Sequence, residues 1–518
     1  MIRRRTWALA CGVLAVGLGV ISGELAAAAL SPSVTPVSAV GSSVIDVLPP
    51  GVKDWAIALF GTADKTVFLI TIAVLITLVA LATGVLEYRR RFAGRAVIAG
   101  FGVLGAVAVA SRPQSSLVSL VAPVVAAIVA ILVLDALVRA LRTWSWESDQ
   151  RRSGAAPARR RFLQGAGGAA VVAAATGVAA TGVRSSQSTV AQQRSTIELP
   201  TPTVTAAPLP PEGSFIPEGA DLGVPGISDL VTANDDFYRI DTALVVPVID
   251  ASTWSLRVTG LVDREVEITF DELLALPLVE RYVTLACVSN TVGGDLTGNA
   301  RWLGLPVRLL LARAGVRPEA DMVLSRSVDG FTAGTPLEAL TDERDSLLAV
   351  GMNGEPLPVE HGFPVRLVVP GLYGFVSATK WVSELRVTRF TDDKAYWSTR
   401  GWSERGPVKT SSRIDVPRTN ASVPAGDVVV GGVAWAQHRG IEAVEVRVDG
   451  GAWQRAELAR PISADTWCQY RATLQLGSGT HTVQSRAIDA EGGLQSDTFV
   501  DPAPDGAEGL HTVTFTVT

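Results

Sequence analysis

Four long apolar stretches, residues 7–30, 66–86, 96–110 and 117–138, constrain this chain more than anything else in it. A helix needs about 20 such residues to cross a bilayer, and in lipid only a helix or a closed barrel satisfies its own backbone. The third stretch is short and is expected to begin upstream. A fifth, 162–183, is almost pure Ala, Gly and Val. Basic residues fix the expected direction. Arg3, Arg4 and Arg5 precede the first stretch, and Arg89, Arg90, Arg91 and Arg95 lie between the second and third. Arg139, Arg142, Arg151, Arg152, Arg159, Arg160 and Arg161 lie between the fourth and fifth, whereas the alternate loops carry only Lys53, Lys65 and Arg112. The positive-inside rule then predicts a cell-membrane protein of about five spans, with a cytoplasmic N-terminus and everything after the fifth span outside. Glu24 and Asp135, near predicted span ends, are expected to snorkel.

Charge divides the chain in the same place. Only 18% of residues are charged, against about 25% in an ordinary soluble protein. Residues 1–162 hold 17 basic against 8 acidic residues, and the remainder holds 28 against 42. An acidic second half speaks against nucleic acid as a partner, because phosphate binding needs a basic face. The run ARRRFLQ (158–164) fits a twin-arginine export signal, with Phe162–Leu163 at the right offset, as well as an ordinary stop-transfer flank; the offset favours export. Residues 184–215 are Ser/Thr/Pro-rich without apolar period and predict an extended tether.

The expected organisation is a four-helix membrane module (1–145), then a basic segment, fifth span and linker (146–215), an α+β domain (216–400) and an all-β Ig-like sandwich (401–518). In the α+β region, strand-like TWSLRVTG (253–260), RYVTLAC (281–287) and VRLVVPG (365–371) alternate with helical DELLALP (271–277) and PVRLLLARAG (306–315). No GxGxxG or GxxxxGK occurs, so nucleotide binding has no support. Beyond Trp402, Val444, Val446 and Val448 alternate up to Asp449-Gly450-Gly451, with Trp453 opening the return strand, which is a hairpin signature. Short strands at this spacing suggest an Ig-like fold.

Three cysteines and four histidines restrict the chemistry. No disulfide framework or CxxC is present. No His precedes His361, and Met1 is the only Met in the helical module, so a haem there would lack axial ligands. Cys11 and Cys468 read as packing residues, and His438, His481 and His511 as isolated, satisfied histidines. Cys287 is different: it leaves a strand into the Gly/Asn-rich VSNTVGGDLTGNARWLG (288–304), which predicts exposure. HGFPVRLVVPGLYGFVSATKW (361–381) adds His361, Arg366 and Lys380 around Gly/Pro turns, a set suited to a polyanionic ligand.

These segments together resemble the molybdopterin-dependent oxidoreductases of the sulfite oxidase type, over about residues 230–518. The resemblance rests on NDDFYRID (234–241), the Cys287 loop ending in NARWLG (299–304), SVDGF (327–331), MNGEPLPVEHGFPVRLVVPGLYG…KW (352–381) and GVAWAQHRGIEAVEVRVDGGAW (432–453). It implies one Mo-molybdopterin, with Cys287 as thiolate ligand to the metal and as the catalytic residue. By matching motif, Asn234, Phe237, Tyr238, Arg239, Ser327, Asp329, His361, Arg366, Ser377, Thr379 and Lys380 would line the cofactor. The implied activity is two-electron oxygen-atom transfer with a small-molecule substrate and a separate electron-transfer partner. The implied assembly is a homodimer through the C-terminal domain. In sulfite oxidases Gly-Asn-Arg-Arg follows the cysteine closely; here Val288–Ser289–Asn290–Thr291 does, so an arginine expected to bind sulfite is absent. Arg301, Arg400, Arg405 and Lys409 are candidates for a replacement anion pocket. Two other readings compete: a cysteine hydrolase pairing Cys287 with His361, and a cell-surface binding protein with a vestigial molybdopterin fold.

Overall fold

A computed structural model describes residues 2–31, 34–48, 64–112, 115–149, 157–169, 185–202, 204–205 and 217–518. The chain divides into two compact units, residues 1–192 with 243–248, and the rest.

The first unit is helical: α1 (Ile2–Leu30), α2 (Pro36–Val47), α3 (Asp64–Arg89), α4 (Ala93–Ala110) and α5 (Val121–Asp149). Four helical stretches, Arg4–Leu30, Thr66–Arg89, Ala93–Ala110 and Leu117–Ser148, are long and apolar enough to cross a membrane. The third does begin upstream of the apolar run. Residues 157–169 form a further helix, whereas 170–183 of the expected fifth span lie outside the described residues. Small residues make the helix contacts. A Cβ on Gly12 would overlap Ala80 of α3, one on Gly84 would overlap Ala8 of α1, and Gly19 and Gly23 approach Ala126 and Ala130 of α5. Large apolar side chains such as Ile70, Leu75, Leu104 and Leu132 point outward. Glycine-mediated backbone contact with large side chains also turned outward suits helices packed in lipid, where backbone proximity rather than water exclusion holds them together. Cys11 is buried in this packing, at 1% exposure.

The two acidic residues expected to snorkel are paired instead. Glu24 accepts the Val37 N–H at the start of α2 (3.0 Å), and Asp135 pairs with Arg95 (3.0 Å) and Arg139. Glu87, which the hydropathy pattern gave no reason to single out, accepts N–H groups of Phe92, Gly94 and Arg95 and the Arg95 guanidinium (2.7 Å). Its carboxylate thereby caps the otherwise open N-terminus of α4. Such pairing removes the need for either charge to reach water.

The segment expected as a tether is not extended throughout. Ser185–Thr196 is helical, and Val204–Thr205 is a strand that pairs in parallel with Val279–Glu280. Arg194 explains why this segment is held: its Nε donates to the Pro356 and Leu357 carbonyls (both 3.0 Å) and it pairs with Glu355 (2.8 Å). Two sheets then form the α+β region. One orders Val204–Thr205, Val279–Ala286, Thr297–Pro306, Leu347–Met352 and Arg366–Val368, with Glu355–Pro356 off its side. The other orders Val266–Thr269, Ser255–Gly260, Val382–Thr388, Met322–Ser327 and Thr332–Pro336. The helix Val307–Ala314 ends at Gly315, whose φ of 72° supplies the left-handed cap that an L side chain resists. The sequence pattern of 306–315 anticipates this stop.

From Ser411 the chain is all-β, in sheets of four and five strands around one apolar core that includes Val430, Val444, Val446, Tyr470, Val483 and Phe515. Asp449 and Gly450 both have positive φ, 51° and 72°, which gives the turn the hand that a two-residue hairpin requires. The return strand is Gln454–Arg455, with Trp453 held between the Arg447 and Arg486 guanidinium groups at 4.5 and 4.2 Å. Cys468 sits in this core, at 2% exposure.

The glycine contacts of the first unit are testable. Gly84→Leu should destabilise the detergent-solubilised chain by about 2 kcal/mol or more through overpacking. Gly17→Ala, at a position with nothing within 4 Å, should leave the thermal midpoint unchanged.

Candidate active site

Cys287 is the first residue beyond the strand Val279–Ala286, and it is 8% exposed. The expected exposure is therefore wrong, and the loop explains why. Cys287 N–H donates to Leu296 O (2.9 Å), Asn290 N–H donates to Cys287 O (3.1 Å), and Leu296 N–H donates to Asn290 Oδ1 (2.9 Å). The loop closes back over its own origin. Burial pushes the Cys287 thiol up, opposed by hydrogen bonds from the Ser289 backbone and side chain.

The cationic residues come from a strand and the turns around it. Val359–His361 is a single 3₁₀ turn that ends at Gly362, φ 113°. A Cβ on Gly362 would stand 2.9 Å from Arg366 Cβ and 3.2 Å from Lys380 Cβ, so the missing side chain is what lets the two converge. Arg366 donates to His361 O (3.1 Å) and Leu367 O (3.3 Å) and lies over the Trp302 ring at 5.0 Å. Lys380 Nζ donates to Asp241 Oδ2 (2.8 Å) and Glu360 O (3.1 Å). Both are nearly dry, 5% and 7% exposed. Burial lowers Arg366 to about 10 and Lys380 to about 8, the latter partly restored by Asp241. His361 Nε2 donates to Asn234 O (3.1 Å). Burial, then Arg366 and Lys380, hold His361 down to about 4, so its ring is neutral. Among the described residues no carboxylate pairs with Arg366. Buried cations thus outnumber their counter-charges, and an uncompensated buried charge costs several kcal/mol. The cluster fits an anionic group, and the Gly362 cradle and the Cys287 sulfur fit a phosphate-bearing, soft-metal cofactor.

The other expected site residues divide. Phe237 and Tyr238 stack at 5.2 Å, and Phe237 meets Trp302 and His361 edge-on at 5.8 and 5.6 Å. The Tyr238 phenol, raised by burial, feels both Cys287 and Arg366 and so links thiol to guanidinium. Asp329 accepts Phe331 N–H (3.1 Å), Ser327 Oγ accepts Asp329 N–H (3.3 Å), and Asp329 feels the Asp241–Lys380 pair, which puts the 327–331 turn beside the cluster. Asn234 acts through its carbonyl, its side chain being held by Asn353 (2.9 Å) and Glu355 (2.5 Å). Arg239 turns to Asp241 (2.9 Å) and is 40% exposed on its side chain. Ser377 and Thr379 do not offer their hydroxyls to the cluster. Ser377 donates to Tyr373 O (2.9 Å), Thr379 pairs with Ser325 Oγ (2.7 Å), and both are fully buried.

Nor do the surface cations form an anion pocket. Arg301 pairs with Glu280 (3.7 Å), Arg405 with Glu338 (2.9 Å), and Lys409 with Asp505 (3.1 Å) and Glu508 (2.8 Å). Arg400 stacks on Tyr396 at 3.6 Å. The Cys–His hydrolase reading fails on geometry, because His361 is directed to Asn234 O and no hydrogen bond joins it to Cys287 among the described residues. His438, His481 and His511 are satisfied by Asp465, Asp449 and Ile414 N–H, as the sequence suggests. Sequence reasoning missed Asp241 and Trp302. Both stand inside the motifs NDDFYRID and NARWLG, but an acid at an anion site has the wrong sign to attract notice.

Removing the Asp241 charge should lower Lys380 further below about 8, leaving more free amine at neutral pH. Asp241→Asn should therefore raise acylation of Lys380 at pH 7 several-fold, read by mass spectrometry, and the difference should shrink towards pH 10. Equal rates at pH 7 would refute the pairing.

Residues 243–397 match the family model of the oxidoreductase molybdopterin binding domain. The chain is 31% identical to mitochondrial sulfite oxidase of Homo sapiens over 318 residues, covering 52% of this chain and 58% of that protein. It is 30% identical to sulfite oxidase of Gallus gallus, covering 52% and 68%. An uncharacterized oxidoreductase of Bacillus subtilis (strain 168) is 36% identical over 165 residues, 32% of this chain and 80% of its own. The matched stretch thus spans little more than half the length of the human relative. On these similarities the chain belongs to the sulfite oxidase-type family of molybdopterin oxidoreductases.

Proposed function

We propose that this chain is a molybdenum-cofactor oxidoreductase, held in the cell membrane by its N-terminal helices with the catalytic half outside. Its reaction is two-electron oxygen-atom transfer to or from a small substrate, with electrons exchanged through a separate partner. One observation carries the reading. Arg366 and Lys380 are buried, and among the described residues only Asp241 forms an ion pair with either, in the domain that matches the molybdopterin family and holds Cys287. When bound, the molybdenum–pyranopterin group supplies the redox change and the oxygen-atom exchange.

The chain's own residues supply the rest. Arg366 and Lys380 hold the anionic end of the cofactor by charge-assisted hydrogen bonds. His361, neutral and aimed by the Asn234 carbonyl, contributes a ring nitrogen without adding charge. Phe237 and Tyr238 wall the site and keep it dry, and Cys287 presents the soft donor. Because Arg301, Arg405 and Lys409 each have an acidic partner and Arg400 stacks on Tyr396, the substrate need not be an oxyanion such as sulfite. We read the two-sheet C-terminal region as an Ig-like sandwich that pairs two chains. Light scattering of the exported half at micromolar concentration should accordingly give a dimer mass, and a monomer would remove the pairing.

Metal analysis of the purified chain should find about one molybdenum per protein. Cys287→Ser should abolish the thiolate-to-metal absorption and collapse turnover, because a hydroxyl is a poorer donor to a soft site. Cys11→Ser and Cys468→Ser, both in packing positions, should change neither. A Cys287→Ser protein with the parent spectrum and rate would overturn the assignment.

The membrane reading has its own test. A reporter fused after residue 215 should be active outside, and replacing Arg159 and Arg160 by Lys should block its export while the upstream helices still insert. Normal export of that double variant would assign the segment to the ordinary secretion route.

A further inference from the structure

We propose that the C-terminal β region is a working part of the redox site, with Arg413 and His511 as positioning residues that clamp loop 288–296 and so fix the Cys287 thiol. The proposal rests on Cys287 being the metal's sulfur donor. The three hydrogen bonds among Cys287, Asn290 and Leu296 tie the mouth of the loop and leave its tip, Val292–Gly294, to other partners. Those partners come from the far end of the chain. Arg413 Nη1 donates to Gly294 O at 2.9 Å. The His511 ring occupies the space where a Cβ of Gly293 would stand, and a Cβ on Gly509 would meet Val292 at 3.4 Å. Gly293, at φ +76°, is thus excluded from bearing a side chain twice over, by its backbone and by the ring pressed on it.

The clamp is itself rigid. Arg413 is 9% exposed, and its other donors go to Asp415 Oδ1 (Nε, 2.7 Å) and Ser228 Oγ (Nη2, 2.6 Å). Asp415 Oδ2 in turn accepts the Ser228 N–H at 2.8 Å. A planar guanidinium held at three corners has no remaining freedom to swing, which a lysine at the same place would keep. His511 Nδ1 accepts the Ile414 N–H at 2.9 Å, so ring and guanidinium are registered on one strand, Ser411–Val416. Arg413 and Asp415 are the charged groups that bear on the His511 ring. The tip of the loop is therefore held by the β region, while its root carries the thiol.

The test uses the full chain, purified in detergent from cells that cannot make the pterin, and follows iodoacetamide labelling of Cys287 and Cys468 separately by mass spectrometry. In the parent, Cys287 should label only through local opening of its loop. Arg413→Met should raise that rate about tenfold or more, the effect of losing one charge-assisted hydrogen bond, with Cys468 unchanged. Arg413→Lys should fail to restore protection, and His511→Ala should raise the rate on its own. An unchanged Cys287 rate in His511→Ala and Arg413→Met, or equal acceleration of Cys287 and Cys468, overturns the clamp. Should Arg413→Met not fold, His511→Ala decides alone. Molybdenum content of the pterin-competent parent is measured in parallel: a metal-free parent removes the assigned function, whereas the labelling rates still decide the clamp.

Discussion

Desolvated positive charge is the constraint on which the rest of the catalytic half depends. Burying an ion without a partner costs several kcal/mol even after relaxation, against a net stability of about 5–15 kcal/mol for a whole domain. Two such ions, Arg366 and Lys380, are tolerated because the load is divided. The His361, Leu367 and Glu360 carbonyls take donors, Asp241 takes the ammonium, and the Trp302 face receives the guanidinium. His361 stays neutral and adds nothing to the repulsion. The residual charge is what suits the site to an anionic group.

Much of this was legible in the sequence, for identifiable reasons. His361, Arg366 and Lys380 could be named because a Pro/Gly-bounded strand fixes their register, and Gly362 marks the point of closest approach. Cys287 was placed correctly at the end of its strand, but its exposure was misjudged, because the residues that press on its loop lie more than a hundred positions downstream. The Ser377 and Thr379 hydroxyls turn away for a local reason: short hydroxyl side chains take nearby backbone and hydroxyl partners. Asp241 escaped notice because its role is to balance a lysine rather than to touch the cofactor. The helix Ser185–Thr196 has no apolar period at all, and the long-range contacts of Gln193 and Arg194 give its end a place.

The two units solve opposite packing problems with the same residue type. In the helical unit, Gly12 and Gly84 bring backbones together beside a core of Leu134, Leu141 and Phe162. In the catalytic unit, Gly362 and Gly293 instead make room for side chains, the Arg366–Lys380 pair in one case and the His511 ring in the other. Glycine frequency, high in this chain at 49 residues, therefore says little until each position is assigned one of these uses.

The dependence of the Cys287 loop on His511 also has a consequence in time. The ribosome adds His511 after Cys287 by 224 residues, which takes about 10–45 s at roughly 5–20 residues per second. Throughout that interval the strand carrying the cysteine can pair with its neighbours, yet the tip of its loop has nothing to rest against. His511 is thus what completes the setting of a thiol made much earlier. Synthesis order makes the sulfur an early part of the site and among the last to be held in place.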